Sequence, residues 1–142
     1  MISILLASTH PSGRRLRIFA ALGVTAILAI CIAILTLLPL STPPGPPGAD
    51  KLYHVIAFAA LTMPCALFYP RFLIWLLPAA ILFGGGIEFI QPSVGREGEW
   101  TDFYADAWGV AVGAAAGFTL RIILKEWLRR YTLAGRERMA QQ

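Results

Sequence analysis

The sequence predicts an all-α membrane protein: a bundle of four transmembrane helices with a basic amphipathic C-terminal extension. Three observations carry that expectation. Of 142 residues, 57% are apolar and only 14% charged, whereas soluble domains carry about a quarter of charged residues. Mean hydropathy is +0.66, too high for an ordinary soluble domain of this length, and the same composition excludes a disordered chain. The apolar residues also gather into four long runs separated by short polar connections. Two cysteines in the whole chain exclude a disulfide-stapled secreted scaffold.

The first span is Ile18 to Leu38, 21 residues without a charge, about 31 Å of helix and enough for a bilayer core. Its apolar core is too long for a signal peptide, and Leu40-Ser41-Thr42 is a poor cleavage site, so it is expected to stay as an anchor. Ser41 to Asp50 (STPPGPPGAD) has four prolines and two glycines and cannot continue a helix. The second span, 52–69, contains His54, and the third, 72–91, contains Glu88. Tyr69-Pro70-Arg71 reads as a tight turn between them. A polar loop, PSVGREGEW over 92–100, precedes the fourth span at 101–120, which carries Asp102 and Asp106. The chain thus divides into an N-terminal segment (1–17), a four-helix membrane domain (18–120) and a C-terminal extension (121–142).

That extension opens with RIILKEWLRRYTL, a basic amphipathic stretch expected to lie against anionic lipid or to dock a partner. Ala134-Gly135 is expected to end it. Cys31 and Cys65 fall at depths about 10 Å apart by helical rise, too far for a disulfide, and read as small packing residues.

Basic residues set the orientation. Arg14, Arg15, Arg17, Arg71, Arg121, Lys125, Arg129, Arg130, Arg136 and Arg138 fall on one side of the four spans, against Lys51 and Arg96 on the other. The positive-inside rule therefore places both termini in the cytoplasm of a multi-pass inner-membrane protein. The net charge of +4 is a topology signal, and no nucleic acid partner is expected.

The polar residues inside the spans are the informative ones, because an ionised Asp near a membrane centre costs about 2.5–3.5 kcal/mol even on lenient scales. Asp50, Lys51 and His54 open the second span from outside. Glu88 and Gln91 close the third, Arg96 follows, and Asp102 and Asp106 open the fourth. All eight are ligand-binding candidates, since they reach one band at the outer leaflet. At 100° per residue, Asp106 lies about 40° from Asp102, and Gly109, Gly113 and Gly117 lie about −20°, 20° and 60° from it. The aspartates thus share a face with a GxxxGxxxG stripe suited to close helix packing, while Phe103, Tyr104, Trp108 and Phe118 face lipid. Three roles for the cluster stay open: charge closure of the bundle by Lys51 and Arg96, a ligand site, or hard-metal ligation. No HxxxH or CxxC spacing, nucleotide loop or nucleophile triad is present. No catalytic residue, metal or cofactor is therefore assigned.

Asp50-Lys51-Leu52-Tyr53-His54, then Glu88-Phe89-Ile90-Gln91, Arg96, Asp102, Asp106, Gly109 and Gly113 form an ordered set that resembles the VanZ-like family of bacterial membrane proteins over about residues 50–117. The family pattern has Asn where this chain has Asp106, and REGEW is longer and more acidic than usual. The resemblance implies an envelope role, since the namesake is associated with resistance to the glycopeptide teicoplanin. It carries no established reaction. Two functions are expected to compete: binding of a cell-envelope or lipid-linked ligand at the outer cluster, and service as a small accessory subunit of a membrane complex or homo-oligomer. Four short spans leave little room for a pore.

Overall fold

The computed structural model describes residues 11–38, 46 and 48–140. Four α-helices and two 3₁₀ turns follow one another: α1 (Pro11–Leu37), α2 (Ala49–Phe68), a turn at Pro70–Phe72, α3 (Leu73–Ile90), a turn at Gln91–Val94, and α4 (Trp100–Ala140). Four helices are long and apolar enough to cross a membrane, and there is no strand among the described residues. Most of the proline-rich connection, 39–45 and 47, lies outside the described residues.

Local chemistry accounts for the boundaries. Pro11 is the first helical residue of α1, where a missing N–H costs no intrahelical bond. The helix therefore starts earlier than hydropathy suggests and carries Arg14, Arg15 and Arg17 on its first turns. Gly48 precedes α2 at φ 83°, a conformation open to glycine because a Cβ would meet the carbonyl. Tyr69 ends α2 at φ −143° and ψ 68°, as the following Pro70 disfavours helical geometry at the residue before it. Gly95 closes the second 3₁₀ turn at φ 78°.

The bundle is built on α2 and α4, which share its most extensive contact. The α4 glycines make that contact possible. A Cβ on Gly109 would lie 2.5 Å from the Val55 carbonyl oxygen, and one on Gly117 would lie 2.6 Å from that of Met63. Backbone therefore touches backbone along three turns, as small-residue stripes permit between membrane helices. Two threonines stitch the helices together: Thr62 Oγ1 donates to the Val110 carbonyl (3.2 Å) and Thr25 Oγ1 to that of Leu61 (3.2 Å). Ile32, Phe58, Leu61, Ala80, Ile87 and Val110 form the main apolar core.

Two expectations fail at the other end. Gly135 does not stop the last helix: α4 runs 41 residues to Ala140, about 60 Å, or twice a bilayer core. Gly135 lies within the continuous helix, so the left-handed geometry that ends a helix at glycine is not adopted. Along the projecting part, Glu126 pairs with Arg129 and Arg130 (both 2.9 Å), and Trp127 stacks on Tyr131. The cysteines are both free, as expected, but only Cys65 is a packing residue. It is buried beside Thr25, whereas Cys31 is exposed on α1. At this end Arg121 donates to the carbonyls of Leu67 and Phe68, serving orphan acceptors at the C-terminus of α2.

Candidate functional site

The end of the bundle formed by the C-termini of α1 and α3 and the N-termini of α2 and α4 holds the polar cluster. Helical phase places its members. Lys51 and His54 lie three residues apart on α2, Asp102 and Asp106 four apart on α4, and both pairs face the helix interface. Lys51 Nζ sits among three carboxylates: Asp50 Oδ2 (2.7 Å), Glu99 Oε2 (3.1 Å) and Asp102 Oδ1 (3.1 Å). The other oxygen of Asp102 lies 3.7 Å from His54 Nε2. On the opposite edge of the ring, His54 Nδ1 is 2.8 Å from Asp106 Oδ1.

Burial grades this row. Asp50 is exposed, so its contact with Lys51 is a solvent-screened surface pair that adds little stability. Asp106 is 1% exposed and abuts α3 at Gly84, where a Cβ would come within 2.7 Å of Asp106 Oδ2. Glu88, from α3, is 8% exposed. Its Oε2 accepts the backbone N–H of Glu99 (2.8 Å). Three buried acceptors have no hydrogen-bond partner among the described residues: Glu88 Oε1, Asp106 Oδ2 and Gln91 Oε1. Leaving such a group unsatisfied costs about 1–3 kcal/mol, more when it is charged.

Arg96 and Gln91 part from the charge cluster. Arg96 Nη1 donates to the carbonyls of Leu38 (3.1 Å) and Leu35 (3.4 Å), and Gln91 Nε2 to that of Thr36 (3.3 Å). Both bind the end of α1, where the last four carbonyls lack intrahelical partners. Arg96 therefore pairs with no carboxylate among the described residues, and charge closure, one of the three roles left open, falls to Lys51 alone. Glu99 takes the place beside Lys51 instead. It was not among the sequence candidates, although an acidic residue three before Asp102 in a polar loop was the available signal. The Thr101 hydroxyl and the Lys51 ammonium hold its carboxyl below the usual carboxylate range.

The loop that delivers Glu99 depends on Gly98. A Cβ there would collide with the backbone oxygen of Glu88. Gly98→Ala is expected to lift the loop from α3, break the Glu99–Glu88 hydrogen bond and cost about 1–3 kcal/mol. Tryptophan-monitored unfolding in detergent measures this, and an unchanged midpoint would contradict the tight loop.

Chemically, the site presents five carboxylates (Asp50, Glu88, Glu99, Asp102, Asp106) against one ammonium and one imidazole. It is a surplus of acceptors, suited to hydrogen-bond donors or cations. No family model, no curated protein and no solved structure matches this chain.

Proposed function

We propose that the protein is a VanZ-like, multi-pass protein of the bacterial inner membrane, with both termini cytoplasmic. In this reading its polar cluster opens at the outer leaflet and binds a cell-envelope component, lipid-linked or otherwise membrane-held. The observation that carries the reading is the set of buried, unpartnered acceptors on Glu88, Asp106 and Gln91, gathered at one end of a bundle whose helices suit a membrane. Buried polar groups are normally satisfied, and a donor or cation brought by a ligand would satisfy these acceptors. Sugar hydroxyls, amino groups and amide N–H groups of envelope precursors supply such donors. The distribution of basic residues supports the orientation.

Purification from native membranes in mild detergent, followed by mass spectrometry of retained lipids and proteins, tests the proposal. The expected result is an envelope lipid that co-purifies with the wild type and is lost, by about tenfold or more, on Glu88→Gln at equal protein yield. Identical lipid profiles for the two proteins overturn it. A stoichiometric protein partner in place of a lipid would favour an accessory subunit, a reading to which the projecting segment of α4, with exposed Trp127 and Tyr131, lends a surface.

A further inference from the structure

We infer that His54, Glu88 and Asp102 form a binding site for one divalent transition-metal ion of the Zn²⁺ type, with Asp106 as the residue that orients His54. The inference deepens the proposed site and rests on reading the cluster as a site rather than as simple closure of the bundle. One donor atom from each of the three side chains lies within 4.8 Å of the other two, although the residues come from α2, α3 and α4. Bonds of about 2.1 Å to a tetrahedral ion put ligand atoms about 3.4 Å apart. Closing the trio around an ion therefore takes at most about 1.4 Å of side-chain adjustment.

Three further features single out this trio. First, His54 Nδ1 lies 2.8 Å from Asp106 Oδ1; a proton carried on Nδ1 and donated there leaves Nε2, which faces Asp102 Oδ2, as the atom that would bind a metal. A carboxylate behind the imidazole is the usual support of a metal-ligating histidine. Second, Nε2 and Asp102 Oδ2 are 3.7 Å apart, beyond a hydrogen bond and close to the separation of two ligands on one ion. Third, Glu88 is 8% exposed and its Oε1 is buried without a partner. A cation beside that carboxylate would offset the cost of burying its charge.

The neighbouring acidic trio, Asp50, Glu99 and Asp102, is equally compact but already surrounds Lys51 Nζ. Its cation is built in. In the His54 trio Lys51 reaches only Asp102, through Oδ1, while Oδ2 faces His54; among the described residues no lysine pairs with Glu88, and Arg96 is turned away to the α1 carbonyls. An imidazole nitrogen with two carboxylate oxygens suits Zn²⁺, Mn²⁺ or Fe²⁺ better than Ca²⁺ or Mg²⁺, which take oxygen alone. Access is from the polar end, where the side chains of His54 and Asp102 keep 15% and 12% of their surface exposed. Linear spacing does not reveal the site because no two of the three donors share a helix.

The test uses the full chain in detergent, stripped with a chelator and dialysed against Zn²⁺, with metal counted by mass spectrometry in the absence of any envelope lipid. The expected result is one equivalent per chain, weakened at least tenfold by His54→Asn and by Glu88→Gln and unchanged by Glu126→Gln, whose partners are Arg129 and Arg130 on the far part of α4. Asp106→Asn should weaken it about 10–100-fold, as loss of such support does elsewhere. Co²⁺ titration of the wild type gives a check that needs no variant to fold: a saturable visible band at one equivalent, displaced by Zn²⁺. Absence of a saturable equivalent in the wild type overturns the metal site, as does full binding by a folded His54→Asn. Because lipid retention is measured separately, loss of the metal reading leaves the envelope-ligand reading standing or falling by its own assay.

Discussion

Gly113→Val is expected to stop the chain accumulating as a folded bundle. Gly113 is the middle glycine of the α4 stripe and is packed hardest against α2. A Cβ there would collide with the Ala59 carbonyl oxygen and the Thr62 hydroxyl, and would lie 2.6 Å from the Ala59 Cα. Two of those three atoms are backbone, which cannot turn aside as a flexible side chain does. The helices must therefore separate, and the interhelical bond from Thr62 to the Val110 carbonyl (3.2 Å) goes with the contact. Overpacking alone costs about 1–3 kcal/mol, and the lost buried hydrogen bond adds about 1–3 kcal/mol. Together these are a large share of the stability of a small domain. Gly23 on α1 provides the control, since a Cβ there meets nothing within 4 Å. Gly23→Ala should leave stability unchanged or raise it by up to about 1 kcal/mol through helix propensity. Monodisperse yield and unfolding in SDS titrations measure both variants. Wild-type behaviour of Gly113→Val would mean that α2 and α4 are not in backbone contact.

The second large effect concerns the pair at the base of the cluster. His54→Leu removes the partner, at 2.8 Å, of Asp106, whose side chain is 1% exposed. Removing the hydrogen-bond partner of a buried group costs about 1–3 kcal/mol, and more when the group left behind is charged, as the Asp106 carboxylate is. The expected outcome is a loss of that size, with most of it recovered in the double variant His54→Leu, Asp106→Ala. The double variant nearly conserves volume and leaves no orphaned carboxylate against Gly84. A thermodynamic cycle on unfolding free energies reads the coupling. Additive losses would show that the two side chains are energetically independent.

Helical period and hydropathy made much of this architecture legible. Long apolar runs located the four spans, and the 100° step put Asp102, Asp106 and the three glycines on one face of α4, where the bundle buries them. The same step does not say how far a long side chain reaches. Arg96 follows the carboxylates in sequence, yet it bonds α1, because the unpaired carbonyls at Leu35 and Leu38 come within its span only after α1 docks. Glu99 joins Lys51 for a similar reason: Gly98 folds the loop back onto α3. Asp50 shares a helix turn with His54 but stays exposed beside Lys51.

What the sequence determined by itself was the membrane class, the four spanning helices among the described residues and the inward face of Glu88, Asp102 and Asp106. These follow from periodicity and transfer energy within single segments. The tertiary structure decided which charges meet, which acceptors stay open and which donors come within 4.8 Å of one another. Those depend on contacts between helices 34 and 14 residues apart in sequence, from His54 to Glu88 and from Glu88 to Asp102, and are set by close packing rather than by any local pattern.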